Sequence, residues 1–277
     1  MPGTSVGQRP FRFGAVATPT RGDWRATVRR VADLGYSSLL MPDGMQLPAP
    51  MPALAMAAAV ADLRVGTWVL AAPLRPPRLA AWEANSMTQL TGGRFELGLG
   101  TGRPVVARWA AEMGLPFGSA AQRLEQVRQI IDGVRALDGD GQHTPVIVAA
   151  AGPRALQLAA QHADIVTLAT GALTPRDTIA KMLATVRDHA GDRADRLEFA
   201  TSIFVVGDQL PPHAERYLGA DLAALRSVES PALLEGSAQD MADELQRRRE
   251  QFGTSYVTVN AEYLEQFAPV IKILDGR

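Results

Sequence analysis

Eight times along the 277-residue chain, a short apolar segment typical of a β-strand is followed by a segment with helical periodicity. Strands that are apolar throughout and alternate with helices form parallel sheets covered on both faces, and eight such units in about 250 residues are typical of the (β/α)8 TIM barrel. We therefore predict this α/β fold, in a single domain spanning 1–277. The predicted strands are 11–18, 37–41, 64–72, 95–100, 146–151, 165–169, 197–206 and 256–259.

A doubly wound sheet with an additional domain would also alternate strands and helices. Such a chain would change composition near its middle, and this sequence shows no such break. Two segments lie outside the alternation: a flexible N-terminal segment, 1–10, and an irregular insertion, 207–235, between the seventh strand and the seventh helix. The segment 101–118 is rich in glycine and proline and is predicted to be a loop.

Capping residues predict where several helices begin. Asp23, Ser119 and Ser237 are the predicted N-caps, and Asp240, three residues after Ser237, completes a pattern that resembles a capping box. Pro153 occupies a predicted first helical position. The clearest predicted helices are 52–61, 77–90, 153–162 and 264–274.

Composition excludes several classes of function. The chain has 28 basic and 29 acidic side chains, so no strong positive charge favours nucleic acid or an anionic membrane. It has no cysteine, which excludes thiolate nucleophiles, Cys-ligated zinc and iron–sulfur clusters. No apolar run is long enough for a signal peptide or a membrane span, so we expect a soluble cytoplasmic protein.

The active site of such a barrel lies at the carboxyl ends of the strands. Few acids or bases are predicted there, and all four histidines lie elsewhere, so no metal site is predicted. An apolar, glycine-rich mouth near Trp68 suits a large flat cofactor that carries the reactive chemistry itself. The strand-end residues are Thr18, Asp43, Pro73, Gly100, Arg103, Gly152, Thr170, Gly207, Asn260 and Glu262.

One strand end has the features of an anion site. Gly152 allows close backbone approach, Pro153 begins a helix whose amides and dipole favour negative charge, and Arg154 adds a guanidinium. Thr170-Gly171 forms a second glycine turn after the next strand. The alternative is an ordinary strand-to-helix turn that binds nothing.

Several short segments form an ordered set of motifs, beginning with LRVGT at 63–67 and TGGRFELGLGTG at 91–102. The first resembles the opening of the third strand in the bacterial luciferase-like superfamily, and the second resembles that family's entry to its fourth strand. The segment 151–153 and the helix after it are similar to the family's phosphate loop, and 236–245 resembles the start of its seventh helix. The resemblance spans nearly the whole chain.

Within that superfamily, 41–43 and 49–51 are most similar to oxidoreductases that use the deazaflavin coenzyme F420. The resemblance implies a tricyclic ring at the barrel mouth, hydride transfer at its C5 carbon to or from a small organic substrate, and a cis peptide at Trp68–Val69. It implies a phosphate tail near 152–154 and 170–171. The implied cofactor-binding residues are Thr18, Asp43, Trp68, Val69, Gly100, Gly102, Arg103, Gly152, Pro153, Arg154, Thr170 and Gly171.

Other functions stay open at this stage. An FMN-dependent luciferase-like monooxygenase would use 207–235 as a lid that protects a reactive flavin, and a barrel could also bind a flavin without turnover. Asp43 is the predicted catalytic residue, with a structural cap or turn as its alternative role, and Arg103 would anchor the substrate or the cofactor tail. Many relatives have histidine where this chain has Gly44, so no proton donor is assigned.

The resemblance also implies a homodimer, because relatives often pair through their early barrel helices. The alanine-rich segment 53–61, which has few charges, would suit a buried face.

Overall fold

Eight parallel strands close into a barrel in the computed structural model, which describes residues 9–20 and 22–277. Each strand pairs with the next along the chain, and the eighth pairs with the first, so the predicted (β/α)8 TIM barrel is confirmed. The barrel strands are β1 (Arg12–Val16), β2 (Ser38–Met41), β3 (Arg64–Thr67), β4 (Phe95–Gly100), β5 (Val146–Ala150), β6 (Ile165–Leu168), β7 (Glu198–Ile203) and β8 (Thr254–Asn260).

Helices follow the strands, and the main apolar core lies between the two layers. None of the described helices combines the length and the apolarity needed to cross a membrane. The helices are α1 (Trp24–Asp33), α2 (Pro50–Val60), α3 (Pro77–Leu90), α4 (Val106–Glu112), α5 (Ala120–Asp138), α6 (Pro153–His162), α7 (Arg176–Ala190), α8 (Pro212–Leu218), α9 (Leu222–Ser227), α10 (Ala238–Phe252) and α11 (Leu264–Leu274).

The predicted helix starts are confirmed by hydrogen bonds. The Asp23 carboxylate accepts the backbone N–H of Arg25, and both Ser119 and Ser237 are the N-caps of complete capping boxes. Pro153 is the first residue of α6, as predicted. Most of the N-terminal segment 1–10 lies outside the described residues.

Two segments are more regular than predicted. The segment 207–235 contains α8, α9 and the short strand Leu233–Leu234, which pairs with Val205–Val206 outside the barrel. The predicted loop 101–118 contains α4, whose apolar residues pack with Ala71 and Leu74. These helices have 6 or 7 residues, too few for a helical period to appear in the sequence.

The third predicted strand, 64–72, is interrupted. Gly66 pairs with Glu96, but the next pair is Leu70 with Leu99, so the third strand has one residue more than β4 across this interval. The extra residue makes a β-bulge, and the peptide between Trp68 and Val69 is cis, as predicted. The Thr67 hydroxyl accepts the Gly98 N–H and donates to the Gly98 carbonyl, each at 2.8 Å, which satisfies the backbone of β4 beside the bulge.

A buried ionic network fills the barrel at the amino ends of its strands. Glu96, which is 2% exposed, accepts hydrogen bonds from Arg12 and Arg64, both at 2.7 Å. Arg12 also binds Glu198 at 2.7 Å, and its guanidinium lies 3.6 Å from the centre of the Tyr256 ring. Five strands therefore meet in one network, and the opposite end of the barrel is left for a ligand.

The bulge generates a test of the fold. A Cβ at Gly98 would lie 1.9 Å from the Thr67 carbonyl oxygen, so Gly98→Ala must displace the backbone of the third strand. We expect its free energy of unfolding in urea to fall by about 3 kcal/mol, at the upper end of the usual cost of overpacking. Gly141→Ala, where a Cβ meets no atom within 4 Å, is the control and should change stability by less than about 0.5 kcal/mol. Equal stability of the two variants would contradict this description of the bulge.

Candidate active site

A cavity of about 350 Å³ opens at the carboxyl ends of the barrel strands. The carboxyl ends of β2 to β7 border the cavity, and the segment 207–235 forms part of its wall. Its lining is mostly small or apolar, with hydroxyl groups at several strand ends. The lining includes Asp43, Trp68, Val69, Leu70, Ala71, Gly100, Thr101, Gly102, Arg103, Val106, Trp109, Ala149, Thr167, Thr170, Gly171, Ser202, Phe204, Tyr217, Ser230 and Ala232.

Eight of the twelve residues predicted to bind a cofactor lie in this lining: Asp43, Trp68, Val69, Gly100, Gly102, Arg103, Thr170 and Gly171. Thr18 does not; it follows β1 and its hydroxyl bonds that of Thr20 at 2.9 Å. Gly152, Pro153 and Arg154 are exposed at the start of α6, on the rim outside the cavity lining. A ligand that contacts both groups of residues must extend from the cavity over this rim.

Asp43 is held in place by strong contacts. One carboxylate oxygen accepts from Arg75 at 2.6 Å and from the Ala71 N–H at 3.1 Å, and the other accepts from Arg75 at 3.2 Å. The Asp43 side chain is 6% exposed. Both oxygens are therefore bonded, and Asp43 fixes the wall that follows the bulge. This geometry favours the structural alternative, and a catalytic role for Asp43 stays a prediction.

Trp68 points into the barrel and forms the floor of the cavity. It packs with the apolar cluster inside the barrel, which includes Leu40, Ile147 and Ala200. Its ring lies edge-on to Tyr256, with ring centres 6.2 Å apart. Trp68 therefore separates the cavity from the ionic network below it.

The 207–235 wall is fixed from behind by a buried arginine. Arg248, which is 3% exposed, donates to the carbonyls of Pro231 and Leu233 at 2.7 and 2.8 Å and to Glu244 at 2.7 Å. Burial opposes ionisation of Glu244, but the hydrogen bonds and charges of Arg248 and Arg176 outweigh it and lower the pKa of Glu244 to about 2. Glu244 therefore stays ionised near neutral pH, and its hydrogen bond from Arg248 helps to hold the segment against the barrel.

Acid and base groups are scarce in this site. Asp43 is the sole carboxylate among the described lining residues, and the lining contains neither histidine nor lysine in the part of the chain that the structure describes. The described residues also contain no group of three or more histidines and acids that could hold a metal ion. The protein's own side chains are thus suited to binding and orienting a ligand more than to acid–base chemistry.

Sequence reasoning missed several residues of the site. Trp109 belongs to α4 and Tyr217 to α8, two helices that were not predicted. Arg75 lies in the turn before α3, close to the predicted third strand, but nothing in the sequence indicates that it pairs with Asp43. The available sequence signal is an aromatic residue, Tyr217, within the predicted insertion 207–235.

Comparison with known proteins gives a family match over most of the chain. A family model described as luciferase-like monooxygenase matches residues 8–268. Uncharacterized proteins of Mycobacterium bovis and Mycobacterium tuberculosis are 34% identical over 87 residues, which is 30% of this chain and 28% of theirs. The match to these relatives thus spans less than a third of their length.

Solved structures share the fold at low sequence identity. A coenzyme F420-dependent tetrahydromethanopterin reductase from Methanopyrus kandleri has a TM-score of 0.72, with 15% identity over 95% of this chain and 97% of that chain. An F420-dependent secondary alcohol dehydrogenase in complex with an F420–acetone adduct has a TM-score of 0.71, with 16% identity over 96% of this chain and 98% of that chain. A riboflavin lyase with modified FMN has a TM-score of 0.71, with 12% identity over 96% of this chain and 92% of that chain.

The Asp43–Arg75 pair generates a test of the wall. Asp43→Asn removes one partner of a largely buried ion pair, so we expect the free energy of unfolding to fall by about 3 kcal/mol. Arg75→Gln should cost a similar amount, and the double variant should cost about 1.5 kcal/mol less than the sum, because the second change removes an already unpaired charge. The free energies of unfolding are measured in urea. If the loss in the double variant equals the sum of the two single losses to within about 0.5 kcal/mol, the two side chains are not coupled.

Proposed function

The chain belongs to the luciferase-like monooxygenase family, and from this membership we propose that it is an oxidoreductase that binds coenzyme F420 at the barrel mouth. The reaction is hydride transfer between this deazaflavin and a small organic substrate. The observation that carries the proposal is the cavity at the carboxyl ends of the strands, which is lined by small and apolar residues and contains few acids or bases.

Some of the structures that share this fold are those of F420-dependent enzymes and others are those of monooxygenases, so the fold supports either ring. The choice of F420 rests on the segments 41–43 and 49–51, which resemble F420-dependent members of the superfamily. The alternative ring is FMN, since a riboflavin lyase with the same fold holds a modified FMN.

The residues present fit a flat tricyclic ring. The cavity volume lies within the range of small-molecule pockets. Gly100 leaves the space between Val69 and Ala149 open, because a Cβ there would come within 2.9 Å of the Val69 side chain. Gly171, on the other side of the cavity, has open space where a Cβ would be. Glycines at both places let a ring approach the backbone closely.

The chain's own residues bind, orient and exclude water in this proposal. Trp68 forms the floor, and Val69, Leu70 and Ala71 form a wall that Asp43 holds through the Ala71 N–H. When bound, F420 supplies or accepts the hydride at C5 of its ring. The segment 207–235 covers one side of the cavity and limits the access of water to it.

The phosphate of the cofactor tail is proposed to lie at the start of α6. Gly152 is the N-cap and makes no side-chain cap. Pro153 has no N–H and the Ala155 N–H bonds the Gly152 carbonyl at 2.9 Å, which leaves the Arg154 N–H and the helix dipole for an anion. Arg154 is exposed there. Gly171 lies on the cavity side of the same rim, and the Ala169 N–H bonds the Ala150 carbonyl at 2.9 Å, which links the two strand ends.

A luciferase-like monooxygenase is the second candidate. The observation that favours it is the wall formed by 207–235, where Tyr217, Ser230 and Ala232 border the cavity. A monooxygenase must protect a reduced, oxygen-reacting flavin from water, and a fixed wall would serve that purpose. Reaction of the reduced cofactor with oxygen therefore separates the two candidates.

The outer faces of α2 and α3 support a homodimer. The α2 segment contains no charged residue, and its Met56 and Val60 are half-buried. On α3, Trp82 is 63% exposed and Leu90 is 81% exposed. Apolar helix faces of this kind are typical of subunit contacts.

The proposal predicts that F420 binds to the purified protein and that its affinity depends on Arg154. In fluorescence titrations, Arg154→Glu should weaken F420 binding by about 1 to 3 kcal/mol, the usual value of a charge-assisted hydrogen bond. Arg78→Glu makes the same charge change on the exposed part of α3 and should leave the affinity unchanged.

The same titration with FMN decides between the two candidates. Tight FMN binding with oxygen consumption by the reduced complex, and no F420 binding, would replace the oxidoreductase with the monooxygenase. Failure of both rings to bind would overturn the proposed function.

A further inference from the structure

One contact crosses the mouth of the cavity. The guanidinium carbon of Arg103 lies 5.7 Å from the centre of the Tyr217 ring. Arg103 follows β4, and Tyr217 belongs to α8, which follows β7 in the chain. Because β4 and β7 are separated by β5 and β6, this pair lies above the part of the cavity between them. The Phe204 ring, 6.1 Å from that of Tyr217, extends the aromatic surface.

Arg103 carries the unbalanced charge of this site. The carboxylate in the lining, Asp43, is paired with Arg75, and the buried arginine of the lining, Arg248, is paired with Glu244. No described carboxylate lies within ion-pair distance of Arg103, and its guanidinium faces the Tyr217 ring. The outer part of the cavity therefore presents one guanidinium that is free to bind an anion.

The surroundings of this guanidinium are apolar. Val106 and Trp109 of α4 line the cavity next to Arg103, and Phe204 and Tyr217 line it from the opposite side. Trp109 is 6% exposed, whereas Tyr217 is 62% exposed and can contact a ligand. A cation bordered by aromatic and aliphatic side chains has the composition of a site for an amphipathic anion.

We propose that the substrate is an organic acid with an apolar body, whose carboxylate binds Arg103 while its body packs on Tyr217 and Phe204. This proposal rests on the proposed function, because it names the substrate class of the same cavity. A guanidinium binds a carboxylate through two parallel hydrogen bonds, which a neutral amide of the same shape cannot match. The site should therefore prefer acids over their amides.

The test compares phenylacetate with phenylacetamide on the cofactor-free protein, by calorimetry or ligand-observed NMR. The wild type should bind phenylacetate about tenfold more tightly, as expected for one charge-assisted pair. Arg103→Gln should reduce this preference to less than about twofold. Arg103→Lys keeps the charge but cannot donate two parallel hydrogen bonds, so it should retain part of the preference. Tyr217→Ala should weaken both ligands alike.

Arg108→Gln is the matched control. Arg108 lies on α4, shortly after Arg103 in sequence, but its side chain is 72% exposed and pairs with Glu112 at 3.5 Å, so its loss should leave the preference unchanged. Equal binding of phenylacetate and phenylacetamide to the wild type would overturn the proposal. So would a preference that persists in Arg103→Gln.

A third arm tests whether Arg103 binds the cofactor tail instead. Riboflavin has the ring of FMN without its phosphate. If Arg103 held the tail, Arg103→Gln would weaken binding of F420 or FMN, which carry a phosphate, and leave riboflavin binding unchanged, and this result would overturn the substrate assignment. We expect the variant to bind F420, FMN and riboflavin as the wild type does. Failure of the proposed function would appear separately, as absence of both F420 and FMN binding to the wild type, and does not affect the phenylacetate comparison.

Discussion

Glu96 is the residue on which the barrel depends. Its buried carboxylate contacts arginines from β1 and β3, and the Tyr256 hydroxyl of β8 donates to it at 3.3 Å. Burial, and then the charge of Glu96, raise the pKa of Tyr256, so that the hydroxyl keeps its proton and can donate. A buried charge is tolerated only when it is paired in this way, so loss of one partner would leave an unpaired charge in the barrel. The network fills the amino end and directs any ligand to the other end.

The bulge connects this scaffold to the candidate site. Above Glu96, Gly66 and Gly98 allow the third strand and β4 to approach closely, and Thr67 supplies the hydrogen bonds that the bulge removes. Trp68 then turns into the barrel as the floor of the cavity, and Asp43 holds the wall after it. Floor and wall thus rest on rigid elements, whereas Arg103 and Tyr217 lie on connecting segments, where differences in substrate are usually accommodated.

The parts of the fold set by local pattern could be predicted from the sequence. The bounds of α3, β4 and α11 agree with the predicted 77–90, 95–100 and 264–274, because each has a clear period and a glycine or proline near an end. The short helices α8 and α9 could not be predicted, since tertiary packing decides whether such segments form helices.

The candidate site was only partly predictable for the same reason. Strand-end residues such as Gly100 and Thr170 follow directly from the topology, and they line the cavity. The pairing of Asp43 with Arg75 joins residues 32 positions apart, and the contact of Arg103 with Tyr217 joins the segment after β4 to α8. Neither follows from a periodic pattern, because both depend on how separate loops meet above the barrel.

The most direct measurement is a crystal structure of the protein grown with F420. We expect electron density for the ring inside the cavity, beside Gly100 and between Trp68 and the 207–235 wall. The tail phosphate should lie at 152–154. Arg103 and Tyr217 should remain free to contact a substrate. A ring bound outside this cavity, or a phosphate held by Arg103 instead of the start of α6, would contradict it.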